Sequence, residues 1–350
     1  MSDYDCLNAR VRAMGTELLG PPDYEQLLAA QGEEEALDLM HGTAYTGQLV
    51  QAMSVGRGIS AIESALGRHL SACIARLRGL APARPRQLLD VQISRWDAEG
   101  VLAILRGKST AAEPSEIRQA LLPCGLFSEP QLQELADEPD VPGVAAVLAT
   151  WGHPFALRLR EAIRRAGPGA DLPVLERTVN DAWFSWALDQ VGGRDRDEAV
   201  VRRMISLQVD LANVKSALDR VRHRAQGEAV AEPPLLAGGI LGPSVLRGLK
   251  QAASMVEAFE ALEGSYFAPG IEKGILAFGL TGSLGVMERY LEGVVIAAGC
   301  RLFRGDPLGI GVPLGFVWRT YSEFLNLRLL LRGKSHGMPV NAIREELLYA

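Results

Sequence analysis

Cysteine is scarce in this chain of 350 residues, and no two cysteines form a C-x-x-C pair. The four that occur are widely spaced, at Cys6, Cys73, Cys124 and Cys300. This spacing argues against a disulfide framework or a zinc knot and predicts reduced thiols, as in a cytoplasmic protein. The five histidines are scattered as well. The sequence therefore predicts no metal site.

Long apolar runs are also missing. Mean hydropathy is +0.07, but the longest uncharged runs, at 233–246, 274–287 and 307–318, are shorter than the roughly 20 residues that span a bilayer. They predict buried helices or loops, with an apolar docking surface as the alternative. The opening residues are charged and predict no secretory signal. A net charge of −6 provides no basic field for nucleic acid or anionic lipid.

Catalytic and nucleotide-binding motifs are absent as well. The tetrapeptide RGKS occurs at 106–109 and 332–335, but neither copy has the earlier glycine that a phosphate-binding P-loop requires. Gly56 and Gly58 begin a partial dinucleotide fingerprint that follows no convincing strand. The chain contains no H-E-x-x-H, and no G-x-S-x-G nucleophile elbow stands out, since residues 333–337, which match that pattern, follow an amphipathic helix and not a strand. We therefore predict no catalytic residue and no bound nucleotide or cofactor.

Three short motifs each occur three times along the chain, at nearly equal intervals. They are an apolar residue before glutamate (Glu63, Glu176, Glu288), an aromatic residue after a small or polar turn (Tyr45, Phe155, Phe267), and an acid three residues before Asn or Gly (Asp97, Asp210, Glu323). Motifs that keep both their order and their spacing indicate three copies of one unit.

The first and third copies match most closely. When Arg106 is aligned with Arg332, the two RGKS segments coincide, and the match continues without a gap. A Leu-Leu pair ends each copy, which predicts boundaries near Gly125 and Gly239 and units at 1–125, 126–239 and 240–350. Residues 5–10 repeat the third motif. The first unit is therefore predicted to carry an extra N-terminal helix that covers one end of the structure.

Helix signals dominate this sequence. Residues 60–74 place their apolar side chains on one helical face, and residues 172–191 repeat the pattern after Pro173, a good first-turn residue. Asp97, Asp210 and Glu323 are each predicted to begin a helix, where an acid suits the positive end of the dipole. The predicted fold is all-α, with three similar helical units that stack or close around a pseudo-threefold axis.

The repeated residues have both a structural and a functional interpretation. The glutamates could ring a cavity and grip basic residues of a partner, or each could pair with a neighbouring arginine such as Arg177 or Arg289, which is the interpretation we favour. Asn8, Asn213 and Asn326 suit buried amide bonds between helices. The repeated aromatic residues are predicted to be core anchors.

In the order of its motifs the chain resembles a known family, the central-stalk connector subunit of V/A-type rotary ATPases. It bears the letter C in the bacterial and archaeal enzymes and the letter d in the eukaryotic ones. The residues that carry the resemblance lie at 4–12, 95–108, 121–125, 152–154, 209–213 and 306–332. The resemblance spans the chain nearly end to end. One departure is Gly100, where the other copies carry asparagine, and it affects only a local helix bond.

The resemblance implies a funnel of three helical units that binds no nucleotide. Its narrow, apolar end would sit on the membrane ring of proteolipid subunits, and its open mouth would receive the central shaft of D and F subunits. Such a component transmits torque between the head that makes or hydrolyses ATP and the ring that carries ions. The resemblance places it in the cytoplasm, peripheral on the inner face of the cell membrane.

Two other classes of protein are compatible with the residues alone. One is a free-standing helical-repeat scaffold that binds soluble partners and has no affinity for a membrane sector. The other is an all-α enzyme whose site is assembled from residues distant in sequence. Convergent carboxylates of shifted pKa in a pocket would favour the enzyme.

Overall fold

The computed structural model describes residues 4–56, 58–167, 171–193, 195–228 and 234–348. These residues contain helices and connecting segments but no β-strand, so the predicted all-α class is confirmed. Among the described residues, no helix is both long enough and apolar enough to cross a membrane.

The first part of the chain contains eight α-helices in the described residues. They are α1 (Asp5–Gly15), α2 (Pro21–Ala29), α3 (Glu33–Met40), α4 (Thr46–Val55), α5 (Ile59–Leu80), α6 (Ala83–Ile93), α7 (Arg95–Ser109) and α8 (Pro114–Ala120). The predicted apolar face of α5 is buried, with Ile62, Leu66 and Leu70 each at most 1% exposed. A spacing of four residues places these side chains on one side of the helix, which therefore faces the core.

The second part of the chain has fewer and longer helices. They are α9 (Glu129–Asp137), α10 (Val141–Thr150), α11 (Ala156–Ala166), α12 (Leu172–Gln190) and α13 (Arg196–Ala225). The helix predicted after Pro173 is confirmed as α12, with the proline in its first turn. Asp195 begins α13 as its N-cap, because its side chain accepts a hydrogen bond from the Glu198 N–H.

The third part completes the described chain. It contains α14 (Pro243–Gln251), α15 (Met255–Glu263), α16 (Ala268–Thr281), α17 (Leu284–Arg301), a 3-10 turn at Leu302–Arg304, α18 (Gly311–Ser335) and α19 (Val340–Glu346). Gly125 and Gly239, the predicted boundaries, both lie in segments that connect helices. The second of these segments includes residues 229–233, which lie outside the described residues.

Helices recur along the chain at the spacing of the sequence motifs. The match is closest for α8 and α19, whose first and last residues are related by the shift that aligns Arg106 with Arg332. The spacing of the motifs also relates α4 to α11 and α11 to α16, and it relates α5 to α12 and α12 to α17. The pair α6 and α7 together covers what α13 covers as one helix; it is divided at Ser94, whose hydroxyl donates to the Val91 carbonyl.

The predicted helix start is correct for only one of the three repeated acids. Asp97 lies in the first turn of α7. Asp210 and Glu323 instead lie inside α13 and α18, so the prediction that they begin helices is wrong. These two carboxylates do not interact with the N-terminus of their own helix. Each accepts at least one hydrogen bond from a backbone N–H group of another segment, as described below.

One helix from each part of the chain packs against a long helix of another part. Helix α12 packs on α7, α17 packs on α13, and α5 packs on α18. The first two contacts join consecutive parts, whereas the third brings the start of the chain to its end. The extra N-terminal helix α1 also packs on α18, and α2 packs on α19. The helix contacts therefore form a closed cycle.

The repeated aromatic residues are core anchors, as predicted. Tyr45 is 1% exposed, and Phe155 and Phe267 are fully buried. Each lies at the N-cap of a corresponding helix, α4, α11 or α16. Burial of large aromatic side chains at the same point of each part fixes how the short helices meet the long ones.

The close approach of α18 to the 3-10 turn predicts a strong effect of adding one methyl group. A Cβ at Gly315 would fall on the backbone nitrogen of Phe303, which cannot rotate away as a side chain can. We expect Gly315→Ala to lower the free energy of unfolding by about 2 kcal/mol or more. Urea denaturation followed by circular dichroism measures this change.

Gly279→Ala is the matched control, since Gly279 lies in helix α16 with nothing within 4 Å of its added Cβ. That substitution should be neutral or stabilising by up to about 1 kcal/mol. Equal stabilities of the two variants would show that the contact at Gly315 is not tight.

Candidate functional site

Each repeated glutamate forms an ion pair with a basic residue from another part of the chain. The pairs are Glu176 with Arg106 at 2.5 Å, Glu288 with Lys215 at 3.1 Å, and Glu63 with Arg332. The favoured prediction that they pair with neighbours such as Arg177 or Arg289 is wrong. Consecutive residues of a helix do not face each other, and Arg289 instead pairs with Glu346. The three ion pairs follow the same cycle as the helix contacts.

The repeated acids Asp97, Asp210 and Glu323 are buried and accept backbone hydrogen bonds. The donors are the N–H groups of Leu126 (3.0 Å) and Phe127 (2.9 Å) for Asp97, Ile240 (2.6 Å) and Leu241 (2.9 Å) for Asp210, and Leu19 (2.5 Å) for Glu323. In each case the bound segment leads into a short helix, α9, α14 or α2. The acid thus satisfies N–H groups that would otherwise be buried without a partner.

Burial changes the ionisation of these acids. It raises the pKa of Asp97 to about 6, and the backbone N–H donors offset part of the rise. Burial also raises the pKa of Asp210 and raises that of Glu323 to about 7. Phenol groups donate to two of the acids, Tyr45 to Glu323 and Tyr266 to Asp210, both at 2.7 Å. Such shifts can mark catalytic acids, but here each carboxylate accepts hydrogen bonds from internal donors.

The repeated asparagines are buried and hydrogen-bonded, as predicted, but they bind connecting segments rather than neighbouring helices. Asn213 exchanges two bonds with the backbone of Leu236 (2.7 and 3.0 Å), and Asn326 does the same with Leu348 (2.8 and 3.0 Å). Asn8 donates to the carbonyl of Pro307 at 2.7 Å. At Gly100 this amide is missing, and a side chain there would approach Leu132.

The RGKS segments also serve contacts between parts of the chain. Lys108 donates to the Ala136 carbonyl at 2.6 Å, near the end of α9, and Lys334 donates to the Leu28 and Ala30 carbonyls at the end of α2. In the second part Arg220 reaches the end of α14 in the same way, at the Leu249 carbonyl. A cation at a helix C-terminus satisfies carbonyls that have no partner within the helix.

Sequence reasoning identified the repeated positions but missed their partners. The roles of Arg106, Lys108, Arg332 and Lys334 were not predicted, although both RGKS segments were identified. The signal was present in the recurrence of all four residues of the segment. The partners of Arg106 and Arg332 lie 70 and 269 residues away in sequence, and pairing over such distances cannot be predicted from spacing.

A central cavity of about 700 Å³ lies between α7, α13 and α18. Its lining includes three sets of corresponding residues: Arg95, Gln208 and Tyr321; Glu99, Ala212 and Leu325; Leu102, Lys215 and Arg328. Around the cavity, Gln208 of α13 donates to Gln92 of α6 at 3.1 Å, and Trp96 of α7 packs on Tyr321 of α18 with ring centroids 5.5 Å apart. The cavity is therefore lined by the same faces of three corresponding helices.

The uncharged runs differ in their burial. Residues 310–318 are buried within and just before α18, as the prediction of buried helices requires. The run at 274–287 instead exposes apolar side chains on α16, with Leu276 at 74% and Leu280 at 89% exposure. The corresponding helices α4 and α11 also expose apolar residues, at Val50 and Leu157. Each of the three corresponding helices therefore carries exposed apolar side chains.

These observations define an all-α repeat protein in which the repeated polar residues serve internal contacts. A family model described as "ATP synthase (C/AC39) subunit" matches residues 7–346, so the chain belongs to that family. The family is a non-catalytic subunit of the rotary complex. The chain is accordingly a component of a V/A-type ATP synthase and not an enzyme by itself, as the resemblance implied.

Relatives of known identity agree with this assignment. The V-type ATP synthase C subunit of Thermus thermophilus is 28% identical over 349 residues, covering 99% of this chain and 98% of the relative. That of Deinococcus radiodurans is 25% identical over 347 residues, covering 99% and 91%. The A-type ATP synthase C subunit of Methanocaldococcus jannaschii is 22% identical over 348 residues, covering 99% and 87%.

The raised pKa of Glu323 predicts how stability depends on pH. Its pKa is about 7 in the folded chain against an ordinary value of 4.5, so the folded state favours the protonated acid. The free energy of unfolding should therefore fall as the pH rises from about 4.5 to 7, and this group should account for a decrease on the order of 2 kcal/mol. Glu323→Gln should remove that part of the pH dependence, as measured by urea denaturation across this range.

The exposed substitution Glu260→Gln on α15 provides a control with the same change in chemistry. Only the difference between the parent chain and Glu323→Gln is interpreted, because other groups titrate in the same range. If that difference is constant from about pH 4.5 to 7, the burial of Glu323 has no effect on its ionisation.

Proposed function

We propose that this protein is the connector of the central stalk, a socket between the D–F shaft and the proteolipid ring. In this proposal the units 1–125, 126–239 and 240–350 surround a pseudo-threefold axis as a funnel. The single observation that carries it is the closed cycle of corresponding contacts, in which α5, α12 and α17 pack on α18, α7 and α13. An axial component of a rotor needs such closure.

The cycle supports a role in transmitting torque because every junction combines several kinds of contact. Each has a packed helix pair, a glutamate ion pair and a buried acid that holds the next segment. Surface ion pairs alone contribute little, but the buried acid and the close-packed core resist displacement of one unit against the next. A twist applied to one unit is thus passed to the others.

Two surfaces fit the two partners. The cavity between α7, α13 and α18 suits the end of the shaft, because it lies between all three units. The exposed apolar residues of α4, α11 and α16 suit the ring, whose surface is formed by apolar proteolipid subunits. In this role the protein is peripheral, on the cytoplasmic face of the cell membrane, and serves coupled ATP synthesis or hydrolysis and ion transport.

The proposal predicts two separate binding activities. The purified chain should bind the D–F complex without the ring, and should bind detergent-solubilised ring without the shaft. Both can be measured by co-elution in size-exclusion chromatography. Binding to neither would contradict the connector role and favour the alternative, a free-standing helical-repeat scaffold for soluble partners.

The apolar surface predicts a selective loss of ring binding. Leu280 is 89% exposed at the end of α16, so Leu280→Asp should leave the fold intact. A charge in an apolar contact should weaken ring binding at least about tenfold, while D–F binding is retained. Pull-down of the ring and of D–F by the same variant measures both.

Leu308→Asp is the matched control. Leu308 is 56% exposed and follows α17, whereas Leu280 precedes it, so the two leucines lie at opposite ends of that helix. Unchanged ring binding by Leu280→Asp, together with a native melting curve, would remove α16 from the proposed contact.

A further inference from the structure

The repeat provides an internal comparison of charge at its three junctions. Where α17 packs on α13, Lys215 lies 3.1 Å from Glu288 and 2.6 Å from Glu292. One cation is thus matched by two carboxylates, which are one helical turn apart on α17. The same pair of positions can be followed at the other two junctions.

At the junction of α5 with α18, the corresponding cation has fewer carboxylate partners. In the alignment of the repeats, Arg328 corresponds to Lys215, while Glu63 and Gly67 correspond to Glu288 and Glu292. Glu63 is paired with Arg332, and Gly67 carries no side chain. Among the described residues, Arg328 therefore has no carboxylate within ion-pair distance.

The remaining junction, of α12 with α7, has no unpaired cation at this position. Leu102 takes the position of Lys215, and Asn180 takes that of Glu292. Asn180 accepts a hydrogen bond from Arg95 at 2.8 Å, and Arg106 is paired with Glu176. The unmatched cation is thus a property of one junction and not of the repeat.

A cavity of about 680 Å³ opens at the junction of α5 and α18, and Arg328 lines it together with Arg68. Arg328 is held over the ring of Phe324 at 5.3 Å, and it also lines the central cavity. Arg68 donates to the Ser64 hydroxyl at 3.0 Å, but its Nε is buried without a hydrogen-bond partner. An unsatisfied buried donor and an unpaired guanidinium that line the same cavity favour an acceptor of negative charge.

We infer that this junction cavity binds a carboxylate side chain of the shaft, held by Arg328 and Arg68. The inference rests on the proposed function, since the D–F shaft is the protein expected in the adjoining central cavity. A side chain is favoured over a free anion because Arg328 borders both cavities, and because Leu121, Leu122 and Leu132 form an apolar part of the wall. A planar guanidinium matches a carboxylate in two parallel hydrogen bonds.

Substitution of Arg328 tests this site. We expect Arg328→Gln to weaken D–F binding roughly tenfold at about 50 mM salt and to reduce its loss at about 300 mM salt, because the attraction of opposite charges is removed. Arg328→Lys keeps the charge but loses the paired hydrogen bonds, so its affinity should lie between that of Arg328→Gln and that of the parent chain. Arg86→Gln, at an exposed arginine of α6 outside both cavities, is the control for net charge and should bind as the parent chain does.

The outcomes separate this inference from the proposed function. If the parent chain binds D–F and Arg328→Gln binds equally well at both salt concentrations, the carboxylate site is wrong and the connector role stands. If Arg328→Lys loses as much affinity as Arg328→Gln, the side chain acts by packing and the charge assignment fails. If inorganic phosphate binds the chain in the absence of D–F, and this binding requires Arg328, then the ligand of the site is a small anion and not a carboxylate of the shaft. Absence of D–F binding by the parent chain would overturn both.

Discussion

The contact between the beginning and the end of the chain is the constraint on which the rest of this structure depends. Two of the three junctions are joined by the chain itself, through the segments around Gly125 and Gly239. The junction of α5 with α18 has no such link and relies on packing, the Glu63–Arg332 ion pair and the bond from the Leu19 N–H to Glu323. Without it the cycle opens, and the central cavity loses one side.

Buried acids solve the same physical problem at every junction. A segment that enters a short helix has backbone N–H groups with no helical partner. Asp97, Asp210 and Glu323 supply the acceptors from α7, α13 and α18. The desolvation that raises their pKa is a cost that these hydrogen bonds partly offset, so the acids fix the path of the chain more than they stabilise it.

Differences among the repeats are as informative as their agreement. Where all three copies agree, as in the aromatic anchors, the residue is buried and serves the fold. Where the copies differ, as at Gly67, Asn180 and Glu292, the charge of Arg328 is left without an internal partner. Local departures from a consistent pattern are where functional sites are expected. In this protein the departure lies beside the one junction that is not covalently joined.

The sequence by itself determined the helical class, the repeated motifs, the core anchors and the family, because each depends on periodicity or on the order of motifs. It predicted the glutamates and asparagines as repeated structural positions, but not their partners. Only the tertiary structure decided that Glu63 binds Arg332 and not a neighbour, and that Asp210 holds a distant segment. Such contacts depend on how helices far apart in sequence pack together, and a spacing rule within one helix carries no information about that packing.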